Sequence, residues 1–308
     1  MAGTTTVVDV EGRRLPLRNL EKVLYPATGT TKAEVLSYVT AAAPVLLPHL
    51  AARAVTRKRW PDGVASQPFF EKNIPQGSPS WLRTVTVPTP GSTRGRETLT
   101  FPLVDGLPAL VWAVNLAALE LHVPQWSLPE DPPPPEQVRT LPDRLVVDLD
   151  PGPGAGLDEC CEVALAVREE LAADGLEAVP VTSGSKGMQL YAPVAGDQEA
   201  EVVEAYVKAL AQRLSARMPA LVVWRMAKSL RPGKVLLDWS QNHPAKTTVC
   251  PWSLRGRDLP TVACPRTWDE VEDGALEQVE WHEALDRAAD GDPAAGMLEA
   301  GPAVPVVD

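Results

Sequence analysis

The sequence predicts an α+β protein whose second half is built on a ferredoxin-like plan. Three observations carry that class. Between Arg144 and Trp239, segments interleave as strand, helix, strand, strand, helix, strand, which fits split βαβ units better than a long parallel sheet. Two of the strands end in acids, Asp148-Leu149-Asp150 and Asp238. The first half mixes a capped helix, an alternating segment and apolar runs, with no internal repeat.

The elements follow in order. Thr31-Lys32-Ala33-Glu34 has capping-box spacing ahead of Val35, Leu36, Val39 and Ala42, so a helix is predicted to start there and stop near Pro44 to Pro48. Val55 to Trp60 alternates like a strand and runs into a Pro61-Asp62-Gly63 turn. Phe69 and Phe70 stand beside Glu71 and Lys72, and at least one ring is expected to face inward. Leu110 to Leu121 reads as a buried helix, followed by His122-Val123-Pro124-Gln125-Trp126. The proline run from Pro129 to Pro135 is a stiff break. It suggests an N-terminal lobe over residues 1–130, a catalytic lobe over 131–267 and an acidic segment over 268–308.

In the second lobe, Arg144 to Pro151 is a buried strand, and a glycine-rich turn leads to a helix over 157–173. Ala178 to Thr182 and Met188 to Ala192 are strands joined by Ser183-Gly184-Ser185-Lys186-Gly187. Val203, Tyr206, Val207, Leu210 and Leu214 form one helical face, and Lys234 to Trp239 is a further strand. The last residues, 300–308, are expected to be loose.

The chain has 308 residues, 44% hydrophobic and 22% charged, which is ordinary globular composition. It has no run long and apolar enough for a membrane span and no basic-then-apolar leader, so a cytoplasmic protein is expected. Its four cysteines lack a C-x-x-C pair, which argues against a zinc site or a disulfide framework. The net charge of −11 would disfavour a nucleic-acid partner if it were spread evenly. Residues 268–308, however, hold twelve acids and one base, and the rest of the chain is balanced. Within it, residues 225–257 carry seven bases against Asp238, and residues 53–59 carry Arg53, Arg57, Lys58 and Arg59 with no acid. Local basic surface of this kind can bind phosphate, although solvated faces are the commoner fate of such runs.

Asp148 and Asp150 are two apart on a strand, so both carboxylates face one side and can address one cation. Hard oxygen ligands in that pattern suit Mg²⁺ or Mn²⁺ holding a phosphorylated substrate. Asp238 repeats the design, with a local salt bridge to Lys234 or Arg231 as the alternative. Ser183 to Gly187 offers backbone donors, hydroxyls and Lys186 for a triphosphate, or is simply a tight hairpin. The turn Gly152-Pro153-Gly154-Ala155-Gly156 fails the dinucleotide spacing at Leu157, so NAD binding is the weaker case. Phe69 and Phe70 near a basic strand suit base stacking, against core packing as the plainer use. Lys22 and Lys32 flank a loop that would let them clamp one phosphate. His122 is the one histidine that looks placed, between an apolar run and Pro124.

In combination these motifs resemble the polymerase domain of bacterial DNA ligase D and its stand-alone relatives in the archaeo-eukaryotic primase superfamily. The resemblance runs from about Leu17 to Asp290, in matching order. It rests on Asn19-Leu20-Glu21-Lys22-Val23-Leu24-Tyr25-Pro26, Thr56 to Pro61, Phe69 to Lys72, His122 to Trp126 and Asp148 to Pro151, and on Ser183 to Gly187, Asp238 to Asn242 and Ser253 to Arg257. It implies a primase-polymerase core: central sheets flanked by helices, with a ferredoxin-like palm lobe. It implies template-directed addition of NTP or dNTP to a primer at gapped or broken DNA with a 5′-phosphate, often with ribonucleotides preferred. A DNA ligase and end-binding repair proteins would be partners, and no membrane is involved.

By the same resemblance, Asp148, Asp150 and Asp238 would hold two divalent ions, Mn²⁺ or Mg²⁺. Ser183, Lys186 and Arg255 would contact the nucleotide, with His122 and Ser183 near the sugar 2′-hydroxyl. Lys22 and Lys32 would bind the downstream 5′-phosphate, and Arg59 and Phe70 would lie against the template, with Lys58 and Phe69 alongside. One position departs from the pattern. Many relatives have histidine two residues after the second glycine of the S-G-S-K-G motif, where it can donate to a phosphate; Gln189 stands here and is expected to bind the nucleotide in its place. Its amide can donate a hydrogen bond but cannot become cationic. Three other readings stay open: a primase that starts chains, a catalytically weak DNA-end-binding module, and a metal-dependent phosphate hydrolase. No nuclease or ligase domain fits within 308 residues, so a piece of a multidomain ligase or a separate protein beside one is expected.

Overall fold

The N-terminal half is a set of small sheets around one helical pair. The computed structural model describes residues 5–89 and 97–307. Strands β1 (Thr5–Val10) and β2 (Arg13–Arg18) form an antiparallel hairpin, followed by the short pair β3 (Val23–Tyr25) and β4 (Thr30–Thr31). Helix α1 (Lys32–Ala41) starts on the expected cap: the Thr31 hydroxyl accepts from Glu34 N, and the Glu34 carboxylate accepts from Thr31 N. Helix α2 (Ala43–Leu50) then continues after a 79° bend, where the sequence predicted a stop. Pro44 is tolerated there because first-turn N–H groups have no intrahelical acceptor to lose.

Next come β5 (Thr56–Arg59), β6 (Phe69–Glu71) and the hairpin of β7 (Thr84–Pro88) with β8 (Thr98–Pro102). Helix α3 (Leu107–Asn115) ends well before the predicted Leu121. Ala117 takes a left-handed φ of 60°, and strand β9 (Ala118–Val123) follows. An apolar run this continuous has no period to separate helix from strand. The correction matters, because alternation on β9 puts Glu120 and His122 on one face.

The second half opens with β10 (Arg144–Pro151), α4 (Leu157–Ala173), β11 (Val179–Thr182), β12 (Met188–Pro193), α5 (Ala200–Arg217), β13 (Val222–Val223) and β14 (Val235–Asp238). The chain then adds β15 (Thr248–Val249), β16 (Cys264–Pro265), α6 (Trp268–Asp273) and α7 (Trp281–Asp290). The large sheet has the order β13-β14-β10-β12-β11-β16, so its central four strands pair antiparallel as in the ferredoxin-like plan. Leu145, Val147 and Leu149 of β10 bury against α4 and α5 through Val163, Val167, Val203, Val207 and Leu210. Period-2 alternation therefore turns Val146, Asp148 and Asp150 to the other face.

The chain crosses between its two cores more than once. Strand β15 joins β9, β5 and β6 in a four-stranded sheet, and Trp252, Leu254 and Val262 pack into the core of the first half. Tyr25 and Tyr38 donate their hydroxyls to the carbonyls of Arg255 and Trp252. The acidic segment is also packed. Asp292 accepts from buried His49 at 2.7 Å and from Trp252 Nε1 at 3.0 Å. Val304 is buried and exchanges two hydrogen bonds with Gln198. Residues 300–307 are thus not loose, and Asp308 lies outside the described residues. No single helix among the described residues is long and apolar enough to cross a membrane.

Candidate active site

Three carboxylates meet at the strand ends. Asp148 on β10 lies directly opposite Asp238 on β14, and Asp150 follows two residues on. Ligand oxygens of the three lie within 4.8 Å of one another. Burial, then the charges of Asp150 and Asp238, push the Asp148 carboxyl up to about 8. Burial and Asp238 likewise raise Asp150. Among the described residues no ion pair neutralises any of the three, so Asp238 does not take the local salt bridge that was its alternative. Asp238 is oriented instead by Ser240 N and Oγ and by Gln241 Nε2. Converging carboxylates without a counter-ion, Asp148 and Asp238 largely buried and Asp150 open to solvent, are a poor resting arrangement and a good hard-cation site, so the residues present fit Mg²⁺ or Mn²⁺.

The Ser183–Gly187 loop closes against this cluster. Gly187 has no room for a side chain, because a Cβ would fall 1.9 Å from the Leu149 carbonyl between the two aspartates. Gly184 adopts φ +64° with Arg255 and Val262 packed against it. Arg255 donates Nη1 to the Ser183 carbonyl at 2.5 Å, and its charge opposes the upward shift of both Asp148 and Asp150. Lys186 is exposed at the loop tip. Gln189 pairs with Asp148 in register, donates toward its carboxylate, and accepts the Tyr191 hydroxyl at 2.7 Å. The competing glycine turn offers no open anion cradle: Glu159 of its own helix already accepts from Gly156 N at 2.6 Å.

Sequence reasoning missed Glu120. This carboxylate is fully buried and accepts from His122 Nε2 at 2.8 Å and from Gly256 N at 3.1 Å. Lys58 Nζ and Arg255 Nε complete the cluster at 3.5 and 3.4 Å. Three residues predicted from the sequence therefore converge on one that was not. Burial works to raise the Glu120 carboxyl, but the His122 hydrogen bond and the charges of Arg255, His122 and Lys58 hold it well below the usual carboxylate range. Burial also lowers His122, outweighing the pull of Glu120.

A second charged site lies in the first half. Lys22 and Lys32 line a cavity of about 500 Å³ with Arg14, Arg18, Arg59 and Asn115. Lys32 is buried, and its ammonium donates to the Arg18 carbonyl and Asn115 Oδ1, each at 2.7 Å. Burial, then Lys22, lower it to about 8. Lys22 pairs with exposed Asp62. Arg59 reaches this cavity while bonded to Glu71 at 2.9 Å, so it is placed with the lysines as well as beside the phenylalanines. The remainder of that basic stretch is not open surface: Arg53 is buried against Asp143, and Arg57 is buried against Glu71 and the Trp112 ring.

Phe69 and Phe70 are 62% and 51% exposed, which overturns the inward-facing expectation. They line a groove of about 1100 Å³ with Lys72, Asn73, Trp126 and His243, and the Phe70 ring meets His122 edge-on at 5.7 Å.

The chain matches the family model for the LigD primase-polymerase domain over residues 31–294. It belongs to that family. It is 48% identical over 274 residues to the multifunctional non-homologous end joining protein LigD of Mycolicibacterium smegmatis, covering 89% of this chain and 34% of that protein. The LigD of Mycobacterium tuberculosis H37Rv is 49% identical over 91% of the chain and 36% of its own length, and that of Bacillus subtilis 30% over 84% and 40%. The chain thus spans about a third of the mycobacterial relatives it matches. A solved structure of the polymerase domain from Mycobacterium tuberculosis ligase D in complex with DNA superposes with a TM-score of 0.87 at 48% identity, covering 94% of this chain and 99% of that one. As a LigD primase-polymerase domain, the chain is a nucleotidyltransferase of the polymerase class, with relatives named for DNA end joining.

Proposed function

We propose that this chain fills short gaps and extends ends in broken DNA, adding templated nucleotides with a preference for ribonucleotides. The observation that carries the reading is the carboxylate cluster walled by the Ser183–Gly187 loop and Arg255. In this reading Asp148, Asp150 and Asp238 hold Mn²⁺ or Mg²⁺, which supplies charge neutralisation for nucleotidyl transfer. Lys186, Arg255 and the loop N–H groups bind the triphosphate. Ser183 and His122 face the sugar, while Gln189 orients Asp148 rather than touching phosphate. The primer 3′-hydroxyl loses its proton to solvent as its oxygen bonds to the α-phosphorus, and the bond from that phosphorus to the leaving pyrophosphate breaks. Arg255, itself fixed by Glu120 and the Ser183 carbonyl, needs no reorganisation as charge develops there.

The cavity of Lys22 and Lys32 takes the 5′-phosphate on the far side of the gap, with Arg59 at its edge. Lys32 supports this assignment, because its resting partners are neutral oxygens and its charge has no counter-ion among the described residues. Phe69, Phe70 and Lys58 lie along the template side, where exposed rings suit base stacking. In this account residues 1–130 recognise DNA, 131–267 carry the chemistry, and a DNA ligase and end-binding proteins act with it in the bacterial cytoplasm. The test is primer extension across a one- to three-nucleotide gap with Mn²⁺. Templated addition that increases when the downstream end carries a 5′-phosphate supports the reading. Tight binding to the phosphorylated gap with no addition would favour an end-binding module, and addition on single strands without a primer would favour a primase.

A further inference from the structure

We infer that Glu120 is a positioning residue that fixes His122 as a hydrogen-bond acceptor for the 2′-hydroxyl of the incoming nucleotide. The inference rests on the nucleotide-site reading above and names the group that enforces its sugar preference.

The geometry leaves little freedom. Glu120 sits in the middle of the sheet formed by β15, β9, β5 and β6 and is fully buried. Its Oε1 faces Gly256 N at 3.1 Å and Arg255 Nε at 3.4 Å; its Oε2 faces His122 Nε2 at 2.8 Å and Lys58 Nζ at 3.5 Å. A carboxylate among two cations and a backbone donor stays ionised, and an ionised carboxylate only accepts. The proton of the His122–Glu120 bond therefore belongs to Nε2.

The same two cations, together with burial, keep the ring from taking a second proton. A neutral imidazole protonated at Nε2 has a bare lone pair at Nδ1. The Phe70 ring packs edge-on against His122, and the histidine side chain is only 12% exposed, so the ring is held rather than free to turn.

A bare Nδ1 selects by donor chemistry. Triphosphate oxygens are acceptors and gain nothing from it; Arg255 meets those instead. A sugar hydroxyl can donate to it, whereas a hydrogen or fluorine at the same carbon cannot. Residue 120 thus divides the wall into cationic groups for phosphate and one neutral acceptor for the sugar. Without Glu120, His122 would be free to carry its proton on either nitrogen.

The test compares four matched nucleotides in single-nucleotide gap filling, carrying hydroxyl, amino, fluoro or hydrogen at the 2′ position. Wild type is expected to use the two donors, hydroxyl and amino, about tenfold better in kcat/KM than fluoro and hydrogen, the scale of one hydrogen bond. Fluoro used as well as hydroxyl, with hydrogen still poor, would overturn the inference while leaving the ribose preference standing. Equal use of all four would remove that preference and the inference with it. Glu120→Gln, whose amide can turn an N–H toward the ring, is expected to bring the hydroxyl-to-fluoro ratio near unity. A uniform loss across all four substrates would instead make Glu120 merely structural. ¹⁵N NMR of histidine-labelled wild type needs no variant: the Nε2-protonated neutral form of His122 is expected at pH 7, and an Nδ1-protonated or charged ring would contradict the inference.

Discussion

The carboxylate cluster and the lysine cavity are charged sites of opposite sign, both incompletely neutralised, and they are built differently. Asp148, Asp150 and Asp238 stand on two paired strands of one sheet, so a cross-strand register and a period of two fix their spacing. The cavity around Lys22 and Lys32 gathers residues from β2 and the turn after it, the start of α1, the end of α3 and β5, stretches spread over a hundred residues of chain. A strand-built site holds like charges together at a cost to the free protein. A site gathered from several separate elements softens its charge with neutral oxygens, as Arg18 and Asn115 do for Lys32. In the proposed reading the first serves a tightly held cation and the second a phosphate that comes and goes.

That contrast can be broken from either side. The largest effect is expected from chelation, since the proposed chemistry needs an ion at the cluster: templated addition in excess EDTA should fall by at least about a thousandfold and return with Mn²⁺. Next is stability. A carboxyl raised on folding contributes stability that is fully present below its unfolded value near 3.8 and is lost as pH rises through about 8. Metal-free protein should therefore melt lower at pH 8 than at pH 5 on account of this cluster, and a divalent cation should restore more at pH 8. Asp148→Asn should melt higher than wild type without metal at pH 8, by about 2–4 °C for each kcal/mol relieved. A variant that melts lower would mean that the carboxylates are paired at rest.

On the other side, Lys32→Met should remove about tenfold of the advantage given by a 5′-phosphate and leave addition at an unphosphorylated gap within about twofold. The sign for Lys32 follows from its lowered value near 8: it is charged below that pH, so the 5′-phosphate advantage in wild type should be full at pH 7 and fade above pH 8. The smallest effect is expected at Gln189. Its amide already serves Asp148 and Tyr191, so Gln189→His should change the addition rate by no more than about twofold, and a large gain would show that the position limits phosphate binding.

The two regions were also unequally legible from sequence. The aspartates could be read because an apolar strand delivers them and a proline–glycine turn stops it, so spacing alone sets their face. The ferredoxin-like order was readable for the same reason. Glu120 was hidden because residues 107–121 are too uniformly apolar to show where α3 ends and β9 begins; with the helix extended to 121, Glu120 and His122 share no strand face. The burial of Arg53 and Arg57 was hidden too, since their partners Asp143 and Glu71 are distant or cross-strand. Phe69 and Phe70 misled in the opposite direction: adjacent phenylalanines usually pack, and these lie open along a groove.

The most direct test of the central claim is a single-turnover assay on a one-nucleotide gap with a 5′-phosphate, comparing wild type with Asp148→Asn at saturating Mn²⁺ and a matched ribonucleotide. Wild type should add the templated nucleotide, and the variant should bind the gapped DNA with unchanged affinity while adding none. Addition by the variant at a rate near wild type would place the chemistry elsewhere and contradict the account.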